Sequence, residues 1–150
     1  MKKVFAFLLI PLLAVACIRV NTEGETIPEP EAKTDGAFIH ISKGAADTHD
    51  VLMALMLADK FSSSNDVLVF FDKEGIEMVT RDAPLLEMDP FDSSEDIFRR
   101  LIDNGATILA CPACMQVSGV EESDLREGVK LAEKEMFFDF TEGRILSLDY

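Results

Sequence analysis

The sequence predicts an α/β domain of three layers, with helices on both faces of a mostly parallel five-stranded sheet. Three observations carry that expectation. From Ala37 onward, short apolar runs alternate with amphipathic stretches, the pattern of repeated β and α units. One run, Val67-Leu68-Val69-Phe70-Phe71, is continuously apolar, as expected of a strand covered on both faces. Glycine, proline and serine mark the junctions between runs.

The first strand is read over residues 37–42. A turn over 43–47 leads to a helix capped by Asp47 or Thr48, where Val51, Leu52, Leu55, Met56 and Ala58 recur at three- and four-residue steps and form one packing face. Ser62-Ser63-Ser64-Asn65 ends that helix. The second strand, 67–71, is followed by a helical turn over 75–79 and a loop holding Pro84, Pro90 and several acids. Ser93 and Asp96 are spaced as in a capping box, and Ile97, Leu101 and Ile102 supply the apolar stripe of the next helix until Gly105. The third strand, 106–110, runs directly into Cys111-Pro112-Ala113-Cys114. Proline suits the first helical position, so Cys111 falls at the N-cap and Cys114 one turn along a short helix reaching Val117. Gly119-Val120 closes it. A turn over 124–127, a fourth strand over 129–131, a helix over 134–140 and a fifth strand over 144–148 complete the domain.

Ahead of the domain, Met1-Lys2-Lys3 and an uncharged run over 4–16 make a basic n-region and an apolar h-region. The run is too short for a spanning helix, which needs roughly 20 apolar residues. Leu13-Ala14-Val15-Ala16-Cys17 resembles a bacterial lipobox, which makes 1–16 a signal peptide and Cys17 the lipidated first residue of the mature chain. An ordinary signal peptide cut nearby is the alternative. Residues 17–36, acidic and proline-containing without apolar period, read as a flexible tether, and 37–150 as one domain. The protein is therefore expected to be exported and anchored through its lipid, facing the periplasm or the cell exterior. A net charge of −14 argues against nucleic acid as a partner and against attraction to anionic lipid.

Reactive groups in an open parallel sheet gather at the carboxyl ends of the strands, where Cys111 falls by sequence alone. Helix N-terminal amides favour an anion, which suits a reactive thiol, and Cys114 can reach back to Cys111 across one turn. If the first strand lies beside the third, the turn over 43–49 approaches Cys111. Lys43 or His49 then stabilises its thiolate, and His49 can exchange a proton near neutral pH. His40, inside a strand, reads as a packed residue. Other readings of the pair remain: a buried apolar cysteine, an inert disulfide in an oxidising compartment, or zinc held together with His40 and His49. The reading adopted is a reactive thiol that uses neither metal nor cofactor.

Taken in order, several segments resemble the DsrE/DsrF-like family, which includes sulfur-relay subunits of the Tus type. They are Phe38-Ile39-His40-Ile41-Ser42-Lys43-Gly44, Met53-Ala54-Leu55, Val69-Phe70-Phe71, Gly75-Ile76-Glu77, the stretch from Gly105 through Cys111-Pro112-Ala113-Cys114, and Arg144-Ile145-Leu146-Ser147-Leu148. The resemblance implies a DsrE-like fold, assembly as a homo-trimer or homo-hexamer, and a reactive cysteine that carries sulfur as a persulfide to or from a partner protein. That cysteine stands eight residues before a glycine followed by an aliphatic residue, and Cys111 with Gly119-Val120 fits. Cys114 matches a second cysteine of many single-domain members. The export signal and Cys114 set the chain apart from the cytoplasmic relay proteins and suggest that Cys114 attacks a Cys111 persulfide and releases sulfide. Two other functions stay open: a thiol-disulfide redox protein, and a lipid-anchored oligomeric binding module whose cysteines only staple the fold.

Overall fold

Each apolar run forms a strand in the computed structural model, which describes residues 33–150. The expected signal peptide, the lipid site Cys17 and residues 17–32 of the tether lie outside the described residues. The strands are β1 (Gly36–Ile41), β2 (Asp66–Phe71), β3 (Thr107–Ala110), β4 (Val129–Leu131) and β5 (Ile145–Asp149). All pair in parallel, in the order β4-β3-β2-β1-β5. The helices are α1 (Thr48–Ser62), α2 (Ser94–Asp103), α3 (Pro112–Ser118) and α4 (Met136–Asp139).

Strand order dictates the layers. Steps from β1 to β2 to β3 run in one direction across the sheet, so right-handed crossovers put α1 and α2 on one face, and the return from β4 to β5 passes over the other. Alternation then sorts the side chains. Ile39, Ile41, Val69, Phe71, Ile108 and Ala110 point toward α1 and α2, where Leu52, Leu55, Ile97, Phe98 and Leu101 are fully buried. Burying each of these larger side chains contributes about 1.5–3 kcal/mol, which makes this face the main source of stability. Arg100 bridges Asp59 of α1 at 2.8 Å and Asp92 at 2.9 Å, locking the two helices together. On the opposite face Phe38 and Phe70 meet Phe137 of α4 edge-on, at 6.0 and 5.1 Å between ring centroids. Three layers are present as expected, but they are unequal, since α4 has only four residues.

Local chemistry explains the boundaries. Ser93 caps α2, its hydroxyl accepting the Asp96 N–H at 3.2 Å and donating to the Asp96 carboxylate at 2.8 Å. Asp47 holds the N-cap position of α1 without a side-chain capping bond, and the Thr48 hydroxyl donates instead to the Ala45 carbonyl at 2.8 Å. β1 starts at Gly36, inside the expected tether, because Asp35 accepts the backbone N–H of Arg144 at 2.9 Å and pairs with its guanidinium. Ile102 is not part of the α2 stripe: it is 38 % exposed, and its tip lies over Gly128. The expected turn over 124–127 forms earlier, as a 3-10 turn at Glu122–Asp124 with its own capping box, and the expected helix over 134–140 shortens to α4.

Candidate functional site at the end of the third strand

Register lines up the carboxyl ends of the central strands. Ile41 pairs with Phe71, Phe71 with Ala110 and Ala110 with Leu131, so the next residues, Ser42, Asp72, Cys111 and Ala132, leave the sheet along one edge. Cys111 is fixed there from both sides. Its N–H donates to the Phe71 carbonyl at 2.9 Å, and its carbonyl accepts the Met115 N–H at 2.9 Å, the first bond of α3. Its extended backbone makes it the N-cap, with Pro112 in the first turn, as the sequence predicts. Gly119, left-handed at φ 67°, ends the helix, and Val120 donates back to the Met115 carbonyl at 2.9 Å. Met115 drops into the core and anchors α3, leaving Cys111 and Cys114 half-buried with free thiols.

Several groups act on the Cys114 thiol. The Lys73 N–H donates to the Cys114 sulfur, which by itself favours the thiolate. Hydrogen bonding with Cys111, partial burial and the negative charges of Cys111 and Asp72 outweigh it, and together they push the Cys114 thiol above its usual range. Cys114 and Cys111 are thus close enough to share a hydrogen bond. Lys73 makes its contact from a left-handed backbone, φ 44°, a conformation that costs a non-glycine residue of order 1–3 kcal/mol. Strain is therefore held at the residue whose amide faces the sulfur.

The expected support from Lys43 and His49 rests on β1 lying beside β3, and the sheet order corrects that premise. β2 stands between them, so the loop after β1 starts two strand spacings, about 10 Å, from Cys111, and the loop after β2 only one. Lys43 pairs with Asp47 at 3.8 Å, and the exposed His49 ring packs against Phe91 at 5.6 Å. Their turn lines a cavity of ≈ 390 Å³ through Gly44, Ala46 and Asp47, facing Glu77 and the far end of α3 at Ser118 and Val120. Asp72 and Lys73, which follow Phe71 of β2, are the residues that stand next to Cys111 across the β2–β3 pair. Sequence reasoning passed over them; the signal available was the polar pair directly after the apolar run that ends at the buried Phe71. Among the described residues no group of three His, Cys, Asp or Glu side chains is arranged to hold a metal ion.

Comparison with known proteins supports the architecture. The structure is similar to that of MTH1491 from Methanobacterium thermoautotrophicum, a protein of unknown function, with 18% identity, a TM-score of 0.57 and coverage of 77% of this chain and 99% of that one. It is also similar to the ychN protein from E. coli, at 13% identity and a TM-score of 0.58, covering 78% of this chain and 100% of the other. Among curated proteins, none matches the chain. The sequence does match the DsrE/DsrF-like family over residues 36–141, from the start of β1 to just beyond α4, and the chain belongs to that family.

Proposed function

We propose that this protein handles sulfane sulfur, with Cys111 as the acceptor and Cys114 as the resolving thiol. The observation that carries the reading is the placement of two free, half-buried thiols at one strand end, Cys111 at the N-cap of α3 and Cys114 one turn along it. Membership in a family associated with sulfur relay supports the same chemistry.

The reaction proceeds by thiol exchange. Cys111 thiolate attacks the outer sulfur of a persulfide or polysulfide donor, the donor's S–S bond breaks, and the donor leaves as a thiolate. Cys111 then carries the extra sulfur. A protein thiol can accept that sulfur, returning Cys111 unchanged. In the absence of an acceptor, Cys114 loses its proton, attacks the Cys111 sulfur and expels hydrosulfide, which takes up the proton, leaving a Cys111–Cys114 disulfide that a dithiol reductant restores. The expected setting is outside the cytoplasm, tethered by lipid on Cys17 in a trimer or hexamer, with a donor or acceptor protein as partner. Peptide mass spectrometry of the reduced full chain after polysulfide treatment tests the proposal: a gain of about 32 Da, one sulfur atom, belongs on Cys111. Reversible disulfide formation with no sulfur gain would establish a thiol-disulfide redox protein instead. If Cys111→Ser lowers only stability, the cysteines merely staple the fold.

A further inference from the structure

The two edges of the sheet are built differently. β4, at one edge, has three residues with the exposed Lys130 at its centre, and it follows Gly128 in a left-handed turn at φ 86°. A short strand carrying a lysine resists pairing with another chain. β5, at the other edge, runs for five residues in unbroken register with β1 and holds neither proline nor lysine. Its Ile145 and Leu146 are 48 % and 49 % exposed. The Gly36 N–H donates to the Arg144 carbonyl at 2.8 Å and the Tyr150 N–H to the His40 carbonyl at 2.9 Å, so Arg144, Leu146, Leu148 and Tyr150 turn their backbone groups toward β1. The N–H and C=O groups of Ile145, Ser147 and Asp149 point away from the sheet, and among the described residues no strand pairs with them.

We infer that β5 pairs antiparallel with β5 of a second copy of this chain, about a two-fold axis at Ser147, and joins the two sheets into one. Only the outward backbone groups are free to bond, so Ser147 meets the partner's Ser147 and Ile145 meets the partner's Asp149. Each such pair exchanges two bonds, about six for the strip. The same register sets the half-exposed Leu146 against the partner's Leu148 on the α1 face, an apolar pair that occurs twice by symmetry. It also brings the partner's Tyr150 opposite Arg144, beside a cavity of ≈ 400 Å³ lined by Phe61, Asn65, Arg144 and Leu146. On the other face the Asp149 carboxylate is drawn onto His40 within its own chain. Charge favours the same occupant. The chain carries −14, yet residues 144–150 hold one cation, Arg144, and one anion, Asp149, so two copies meet along a neutral strip. A strip this narrow buries less than the roughly 1,600 Å² of a standard interface, which makes the dimer reversible. The contact is two-fold: it yields a dimer, or the two-fold joints of the expected hexamer, and not an isolated trimer.

The test needs no sulfur donor. The reduced full chain carrying Cys17→Ser, which removes the lipid site, is sedimented across micromolar concentrations, and its amide exchange is followed residue by residue by NMR at both ends of that range. The amides of Ile145, Ser147 and Asp149 should be protected in the concentrated sample and exchange freely on dilution, whereas those of Leu146, Leu148 and Tyr150 stay protected throughout. Ser147→Pro deletes an N–H that β1 does not use, so the domain keeps its fold while two bonds across the axis are lost, and dimerisation should weaken about thirtyfold or more. Leu146→Lys leaves every backbone donor in place and should also weaken it. A monomer at every concentration overturns the proposal, as does a trimer, or self-association that both variants leave intact. So does protection of the three outward amides that ignores dilution, which would mean that another segment of the chain or a different protein covers the edge. Failure of this contact leaves the sulfur chemistry of Cys111 untouched, and a Cys111 that gains no sulfur leaves the contact standing.

Discussion

Gly75 offers the sharpest test of how the loop after β2 is held. It is buried, and a Cβ built on it would lie 2.5 Å from the carbonyl oxygen of Ile41 and 3.3 Å from that of Lys43. Both obstacles are backbone, and the Ile41 carbonyl is already fixed by the Asp72 N–H at 3.2 Å. The Gly75 φ lies outside the left-handed range, so space alone opposes alanine. Relief requires the loop to move away from the end of β1 by several tenths of an ångström. Overpacking of this kind costs about 1–3 kcal/mol. For a domain of this size a cost of ~2 kcal/mol lowers the melting temperature by roughly 8 °C. The same movement displaces Asp72 and Lys73 relative to Cys114, so Gly75→Ala should also change the rate of Cys114 alkylation. Calorimetry and alkylation of one sample read both effects. A melting temperature within about 2 °C of the parent, with unchanged alkylation, would refute the packing argument.

Other perturbations follow from single contacts. Ser93→Ala removes the α2 cap and should cost about 1 kcal/mol in chemical denaturation, with no effect on the cysteines. At the left-handed Lys73, Lys73→Val should destabilise by about 2 kcal/mol whereas Lys73→Gly should not, a contrast that the same denaturation experiment resolves. Stability should fall at both pH extremes. The Arg144 guanidinium holds the Asp35 carboxyl below its usual range, and the Ser93 hydroxyl and then Arg99 do the same for Asp96. Depressed acids stabilise the fold above their unfolded value, about 3.9, and lose that contribution as pH drops below it. Because both pairs are exposed, the loss is modest and weakens with salt. The raised Cys114 thiol works in the opposite sense: its contribution is present below the ordinary thiol range, near about 8.5, and disappears as pH rises above it. Thermal melts across pH check both limbs.

What could be read in advance follows from physical range. The continuous run Val67–Phe71, the α1 face at Val51, Leu52 and Leu55, and the Ser93 cap are decided within a few residues, and each appears where the sequence places it. Cys111 at the N-cap of α3 was legible for the same reason, since a strand followed by proline leaves little choice. Strand order is a different matter. Nothing local in β1 states whether β2 or β3 lies beside it, and that single choice put Asp72 and Lys73, rather than Lys43 and His49, next to Cys111. His40 was hidden similarly: within Phe38-Ile39-His40-Ile41 it reads as a packed ring, and only pairing with β5 brings Asp149 to it. The thin α4 layer is drawn from the thirteen residues, 132–144, that separate β4 from β5, with Phe137 spanning Phe38 and Phe70.

The central claim is the division of labour between the two thiols, and Cys114→Ser separates them most directly. After brief polysulfide treatment, peptide mapping of that variant should find the extra sulfur retained on Cys111, whereas the parent should show a Cys111–Cys114 disulfide and an equal amount of released sulfide. Extra sulfur on Cys114 of the parent, or a Cys111 peptide without added sulfur in the Cys114→Ser chain, would contradict the assignment.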